Sequence, residues 1–181
     1  PRIACDNAGN AYVVWIGSRE GNWDIFCRRK VNEQWQGTEN ISRTGGTSDM
    51  PSVAAHKNSG IACVAWAESV GGNWEIFLAS YQPGSGWSSP TNLTNNSSRS
   101  ITPGVCIDDY GNIHLAYADN AKGNFEIMYS TTGASYIQVY PPINISIESK
   151  YDASRNRKTN TLRWPVSYTH LRAHETVLEL V

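Results

Sequence analysis

The sequence of 181 residues lacks several features that mark common functional classes. Its 15 Lys and Arg balance 16 Asp and Glu without a basic run, whereas proteins that bind nucleic acid or an anionic membrane cluster their cations. No apolar run approaches the roughly 20 residues of a membrane-spanning helix. The sequence also has no phosphate loop, dinucleotide fingerprint or nucleophile elbow. We therefore expect no nucleic-acid partner, no membrane span and no cofactor.

Cysteine and histidine are scarce as well. The cysteines at 5, 27, 63 and 106 form no C-x-x-C pair, and they do not recur at equivalent places. Buried free thiols are the favoured interpretation, and a disulfide between strands is the alternative. Before residue 166 the only histidines are His56 and His114, which are too far apart in sequence to indicate a zinc cluster. No metal site is predicted.

What the sequence does have is an internal repeat. "GNWDIF" at 21–26 returns as "GNWEIF" at 72–77 and as "GNFEIM" at 123–128, an interval of 51. Trp15, Trp66 and Tyr117 keep the same interval. The Asn-x-Ser/Thr triplets at 40, 92 and 144 and the prolines at 1, 51 and 103 recur at intervals of 50 to 52. A fixed period of this length indicates a series of copied supersecondary units.

Each repeat contains four short runs with the two-residue alternation of a half-buried strand. The first two runs are joined by "DNAGN" at 6–10 and by "DDYGN" at 108–112, where glycine can supply the positive φ of a tight hairpin. No stretch has helical spacing of its apolar residues. The pattern predicts an all-β chain that forms a partial β-propeller, with about three four-stranded antiparallel blades and a repeat of about 51 residues.

The repeat also gives the domain boundaries. We expect blades at 1–50, 51–102 and 103–150, and a remnant of a fourth blade or degraded sequence at 151–165. The string "VSYTHLRAHET" at 166–176 resembles a translated sequencing adaptor, so 166–181 is interpreted as a non-native tail. Propellers close with about 4 to 8 blades. The chain is therefore expected to be a fragment of a metagenomic reading frame whose neighbouring blades are missing.

The order P-x-I-A-x-D-x-x-G-N, V-V-W, G-N-W-D-I-F, W and N-I-S resembles the repeats of sialidase-like β-propellers of the Asp-box, or BNR, type. The resemblance covers residues 1 to 150. Ser80, Gly84 and Trp87 match the family's box Ser-x-Asp-x-Gly-x-Thr-Trp, but Gln82 and Gly86 depart from it. Sialidases of this fold use three arginines, a tyrosine nucleophile with a glutamate, and an aspartate acid. No residue here matches those in context, so no catalytic residue is predicted.

Antiparallel strands place two sets of loops on one rim of the propeller. These are the loops that leave the second strands, at 16–22, 67–73 and 118–124, and those that enter the first strands, at 43–50 and 95–102. Polar residues on loops of a rigid scaffold often bind ligands, although any solvated loop contains them too. The ligand-face candidates are Arg19, Glu20, Asp49, Glu68, Arg99 and Asp119, and the same loops carry Arg43 and Lys122.

A second set of residues recurs for structural reasons. It comprises Trp15, Trp23, Asp24, Trp66, Trp74, Glu75, Tyr117, Phe125 and Glu126. Catalytic carboxylates of a glycosidase form an unlike pair, so one acid at the start of each third strand is interpreted as structural, accepting backbone N–H groups or an arginine. The aromatic residue before each acid is expected to pack between blades, and sugar stacking is the alternative.

The sequons are Asn40, Asn92, Asn95, Asn96 and Asn144. Three of them recur at the fourth strand, which favours a structural role over glycosylation. The resemblance implies a binding or scaffold module of an exported or cell-surface protein, with carbohydrate or protein as its ligand. The alternative is part of a sialidase-like glycoside hydrolase or polysaccharide lyase whose catalytic residues lie in other blades. A third interpretation is an interaction spacer without a ligand of its own.

Overall fold

The structure, a computed structural model, describes residues 1–19, 21–132, 146–152, 157–163 and 178–180, and the side chains of 1–18 and 21–132. The chain divides into two compact units, Pro1–Val139 and Tyr140–Val181. Every regular element within the described ranges is a β-strand. The described ranges contain no helix that is long and apolar enough to cross a bilayer.

The first unit contains three antiparallel sheets in which sequential strands are neighbours. The first sheet is β1 (Arg2–Cys5), β2 (Ala11–Arg19), β3 (Asn22–Val31) and β4 (Gln34–Asn40). The second is β5 (Ser48–Ala55), β6 (Ala62–Val70), β7 (Asn73–Gln82) and β8 (Gly86–Trp87), with β9 (Thr91–Asn92) also paired to β7. The third is β10 (Ser100–Ile107), β11 (Ile113–Asp119) and β12 (Glu126–Thr131).

These successive meanders are propeller blades, which confirms the predicted all-β partial propeller. The second unit is one antiparallel sheet in the order of the chain. Its strands are β13 (Ser146–Asp152), β14 (Arg157–Arg163) and β15 (Leu178–Leu180).

The first strands of the second and third sheets begin earlier than the repeated prolines at 51 and 103. Both β5 and β10 start three residues before the proline and contain a bulge where the ladder shifts register. Met50 and Thr102 adopt a φ of 53° at these bulges, directly before Pro51 and Pro103. Because proline has no N–H to donate, an irregular ladder position accommodates it without a lost hydrogen bond. The repeated prolines therefore mark the bulge rather than the start of the strand.

The outer strand of the first sheet begins well before the Asn-x-Ser triplet at 40. β4 begins at Gln34 and pairs with β3 through a further shift of register between Arg28 and Lys30. In the second sheet the outer edge is divided between the two short strands β8 and β9. The aromatic before the Asn-x-Ser triplet, Trp35, is thus part of the outer strand and is 49% exposed.

The apolar core lies between neighbouring sheets. At the first junction, β5 packs against β1, β2 and β3. The buried side chains there are Val14, Ile25, Cys27, Ile41, Val64, Trp66 and Ala79. Trp66 is fully buried and stacks on Phe77, with ring centroids 6.0 Å apart. Burial of an indole of this size contributes several kcal/mol to the free energy of folding, at about 25 cal/mol per Å².

At the second junction, β10 packs against β5, β6 and β7. The cluster of Ala65, Ala67, Ile76 and Leu115 is covered by half-buried side chains that include Trp74 and Tyr117. The expected packing between blades is therefore observed for Trp74. Its counterparts differ from the expectation, because Trp23 is 52% and Phe125 is 49% exposed. Trp74 stands at the same place in its repeat as these two, so the difference comes from what the neighbouring sheet covers and not from the local sequence.

All four thiols are free. Cys27 and Cys63 are buried, and burial raises the pKa of each to about 12. Cys5 and Cys106 are exposed, so the expectation of buried thiols holds for only two of the four. Cys5 is the last residue of β1, and Cys106 is the last but one of β10.

Candidate functional site

The acid of the "GNWDIF" repeat binds the Asn-x-Ser triplet of the next strand. Ser42 Oγ donates to Asp24 Oδ1 at 2.9 Å, and Asn40 Nδ2 donates to Asp24 Oδ2 at 2.8 Å. The same Ser42 oxygen accepts the backbone N–H of Ile25 at 3.0 Å. Asp24 is 7% exposed, so these donors replace the water that the carboxylate loses on folding.

The second sheet repeats this arrangement. The Thr94 hydroxyl donates to Glu75 Oε2 and accepts the backbone N–H of Ile76 at 3.0 Å. Asn73 Nδ2 donates to Glu75 Oε1 at 2.8 Å, and the backbone N–H of Asn96 donates to the same oxygen at 3.2 Å. The partners of the repeated acid are thus hydroxyls and amides, with one backbone N–H, and no arginine contacts it among the described contacts.

In the third sheet, the counterpart Glu126 has a different contact. Lys122 Nζ lies 3.7 Å from Glu126 Oε2. The triplet asparagine of this repeat, Asn144, lies outside the described residues. The structural role of the acid in this blade therefore stays a prediction.

The rim loops that the strand directions grouped together do meet in the structure. At the first junction, the backbone N–H of Ser69 donates to the carbonyl of Thr47 at 2.9 Å, and Asn22 Nδ2 donates to the carbonyl of Thr44 at 3.0 Å. At the second junction, Arg99 N–H donates to Asn120 Oδ1 at 2.7 Å. Each pair of loops thus closes one end of a blade junction.

Glu68 lies at the first junction and is fully buried. It accepts hydrogen bonds from Trp66 Nε1 at 2.9 Å, from Ser48 Oγ at 2.6 Å and from the Thr44 hydroxyl. The loop packs so closely that a Cβ on Gly46 would lie 2.5 Å from Glu68 Oε1. A carboxylate of one blade is thereby bound to the loop that leaves the preceding blade.

Asp119 occupies the equivalent place at the second junction, 51 residues later, and is 5% exposed. It accepts hydrogen bonds from Ser100 Oγ at 2.7 Å, Ser98 Oγ at 2.9 Å, the backbone N–H of Ala121 at 2.7 Å and Asn96 Nδ2 at 3.3 Å. Burial alone would raise the pKa of Asp119, but these donors outweigh it and hold the pKa below its ordinary value.

An open cavity is lined by Glu68 at the first junction, and another is lined by residues that donate hydrogen bonds to Asp119 at the second. The first, of about 370 Å³, is lined by residues that include Thr44, Gly45, Gly46, Glu68, Ser69, Val70 and Phe77. The second, of about 310 Å³, is lined by Asn96, Ser97, Ser98, Asn120 and Ala121. Residues 44–46 and 96–98 are related by the repeat, as are 68–70 and 119–121. The two cavities are therefore copies of one site.

The predicted ligand-face residues divide into three groups. Buried Glu68 lines the first cavity, and buried Asp119 is hydrogen-bonded to residues that line the second. Arg99 is exposed beside the second cavity, whereas half-buried Asp49 accepts the N–H of the next residue at 2.6 Å. Glu20 and the side chain of Arg19 lie outside the described residues. On the same rim, exposed Arg43 donates through Nε to the carbonyl of Asn40 at 2.7 Å.

Sequence reasoning missed the small residues that line the cavities. The signal was available, since "TGG" at 44–46 and "NSS" at 96–98 follow their Asn-x-Ser/Thr triplets at the same distance. Small side chains at a repeated position indicate either a close contact or an open space. Only the packing of the sheets shows that a close contact and an open space both occur at this repeated position.

No protein family and no curated protein sequence match this chain. Among solved structures, it is similar to a Hadza microbial sialidase, with 14% identity and a TM-score of 0.57 over 89% of this chain and 41% of the sialidase chain. It is also similar to a polysaccharide lyase of the ulvan lyase family PL25, bound to a glucuronate–sulfated rhamnose unit, with 11% identity and a TM-score of 0.57 over 90% and 51%. A sialidase of Trypanosoma rangeli gives 11% identity and a TM-score of 0.51 over 91% and 33%.

At these identities the similarity shows the fold alone, which is the sialidase-like propeller. The chain spans about half or less of the length of these solved structures.

Proposed function

We propose that the chain is a carbohydrate-binding propeller module whose sugar sites are the cavities at the blade junctions. The observation that carries the proposal is the repetition. Two cavities of similar size, about 370 and 310 Å³, occur at equivalent places on one rim. A repeat protein that copies a concave polar site with its blades is suited to a ligand that itself has repeated units, such as a glycan.

The lining of the cavities suits a sugar ring. Their volumes lie at the small end of the range of ligand pockets, about 300 to 1,000 Å³, which fits a monosaccharide unit. The second cavity presents the hydroxyls and amides of Ser97, Asn120 and their neighbours. The first adds the apolar side chains of Val70 and Phe77, against which the C–H face of a sugar can pack.

The solved structures similar to this chain support the same ligand class, since they include a sialidase and a polysaccharide lyase. An exported or cell-surface location fits such a module. The enzymatic alternative places the catalytic residues in further blades. It predicts that this chain alone has neither glycosidase nor lyase activity, which assays on sialosides and uronate polysaccharides would check.

The test fills each cavity separately. A Cβ on Gly45 meets nothing within 4 Å, and its φ is not positive, so Gly45→Phe places a ring in the first cavity without backbone strain. Exposed Ser97 has no hydrogen bond that the structure records, so Ser97→Phe fills the second cavity. Gly37→Phe is the matched control, because Gly37 is equally open but lies on β4 away from both cavities.

Binding would be measured on a glycan array and by titration of the glycans it detects. We expect the double variant Gly45→Phe/Ser97→Phe to lose binding at least tenfold and the control to retain it. Binding that is unchanged in the double variant, or absent in the unmodified chain, would refute the proposal.

A further inference from the structure

We propose that the two junction cavities select against anionic sugars and take uncharged or amino sugars. The inference rests on the proposed function and specifies its ligand. It also departs from the sialidase-like expectation of a carboxylate-bearing sugar held by arginines.

Each junction buries two carboxylates. Two acids contribute to each: the repeated acid of the third strand of one blade, and the acid at the end of the second strand of the next. At the first junction they are Asp24 and Glu68, and at the second they are Glu75 and Asp119. All four are between 0 and 7% exposed. Buried carboxylates are screened by solvent far less than charges on the surface.

Hydrogen bonds connect these acids to the cavity walls. Asn96 lines the second cavity, and it donates through its backbone to Glu75 and through Nδ2 to Asp119. At the first cavity, Thr44 donates its hydroxyl to Glu68, while its carbonyl accepts Asn22 Nδ2, which also lies 3.4 Å from Asp24 Oδ1. One residue of the wall thus contacts both acidic side chains, directly or through one amide.

Cationic side chains are absent from the described walls of both cavities. No Lys, Arg or His is among the described residues that line either cavity. Arg43, Arg99 and Lys122 each adjoin a lining residue in sequence, and all three are exposed. Lys122 Nζ also lies 3.7 Å from Glu126 Oε2. An exposed guanidinium is screened within roughly 8 Å at physiological ionic strength, so it offsets only part of the field of two buried carboxylates.

These three features give the selectivity. A carboxylated or sulfated sugar that enters either cavity brings an anion toward buried negative charge and loses its own hydration. A neutral ring meets hydroxyl, amide and backbone groups whose donors and acceptors it can satisfy. An amine on the ring adds an attraction.

The experiment uses rings of one shape and three charges. The unmodified chain is titrated with methyl glycosides of glucose, glucosamine and glucuronic acid, and with the corresponding galactose series, and its amide resonances are followed by NMR. Each cavity is isolated by filling the other, with Ser97→Phe for the first and Gly45→Phe for the second. We expect the amino and neutral sugars to bind at least tenfold more tightly than the uronic acid in both series.

A second comparison removes one charge. In the Gly45→Phe background, Asp119→Asn keeps the size of the side chain and should raise uronate binding severalfold at the second cavity, with little change for the neutral ring. Glu68→Gln serves the same purpose at the first cavity in the Ser97→Phe background. Thermal melts identify a variant that fails to fold, and the charge series on the unmodified chain then still decides the question.

The outcomes separate the two proposals. The charge selection would be wrong if uronic acids bound as tightly as neutral sugars and this binding were lost in the phenylalanine variants. That outcome would leave the sugar sites in place. If no sugar of any charge binds, both the sugar sites and the charge selection are wrong.

Discussion

Gly46 provides the sharpest test of how the rim loop packs against the following blade. A Cβ at this position would lie 2.2 Å from the carbonyl oxygen of Ser69 and 2.5 Å from Glu68 Oε1. Real Cβ contacts do not reach such distances, and neither neighbour can yield easily. The Ser69 oxygen is backbone, and the Glu68 carboxylate is bound by three donors. Gly46→Ala must therefore move the loop away from the second sheet.

The expected cost follows from overpacking of a close-packed site, which is typically about 1 to 3 kcal/mol and occasionally more. We expect a value at the upper end, about 2 to 3 kcal/mol, because one of the two clashes is with backbone. For a domain of this size, that corresponds to a fall of roughly 4 to 12 °C in Tm. The backbone at Gly46 does not have a positive φ, so the effect is steric and not conformational.

The adjacent glycine is the control. Gly45→Ala adds a methyl group to open space at an ordinary φ, and it should leave the stability unchanged or raise it slightly. Urea and thermal unfolding of the two alanine variants would be compared. Equal midpoints for Gly45→Ala and Gly46→Ala would refute the close approach of loop and blade. Because Glu68→Asp also withdraws the carboxylate from its three donors, the cost of Gly46→Ala would be measured again in a Glu68→Asp background, where it should be smaller since only the Ser69 clash remains.

Three further predictions concern the hydrogen bonds and the thiols. Ser42→Ala removes a hydroxyl that a buried carboxylate and a backbone N–H share, so it should lower the free energy of unfolding by about 1 to 3 kcal/mol in urea melts, with Ser97→Ala as a neutral control. An equal loss of unfolding free energy in both variants would show that the hydrogen bonds of Ser42 do not stabilise the fold. Because the pKa of Asp119 is lower in the folded state than its ordinary value of 3.8, its contribution to stability is present above pH 3.8 and is lost as the pH falls through the folded pKa. Urea midpoints measured from pH 6 to pH 3 should fall less steeply in Asp119→Asn, and parallel curves would refute this. Cys27 and Cys63, with pKa values of about 12, should resist a thiol reagent at pH 8 until the protein unfolds, whereas the two exposed thiols should react at once. If all four thiols reacted at one fast rate, the buried pair would be accessible and the prediction wrong.

The repeat explains why so much of the architecture could be predicted. A strand is defined by local alternation, and a blade by four such runs in series, so both can be recognised along the chain without knowledge of distant contacts. The direction of the strands then fixed the rim on which the loops meet, as the hydrogen bonds between residues 47 and 69 and between 99 and 120 show. The acid and the triplet were each visible as repeated letters, but that they form one hydrogen-bonded unit was not.

The candidate site was predicted only in outline. Glu68 and Asp119 were selected as rim residues, yet a buried acid and a solvated one look alike in sequence, because burial depends on what the next sheet covers. The same dependence separates Trp74, which the third sheet covers, from Trp23, which has the same local sequence and is 52% exposed.

The sequence by itself determined the strands, the period and the face on which to look, because these follow from the spacing of neighbouring residues. The tertiary structure alone decided which acids are buried, which glycine is required for close packing, and where an open cavity remains between blades. These properties arise from pairs of residues about 20 positions apart or more, such as Gly46 with Glu68 and Ser98 with Asp119. Their distances are set only when one blade packs against the next.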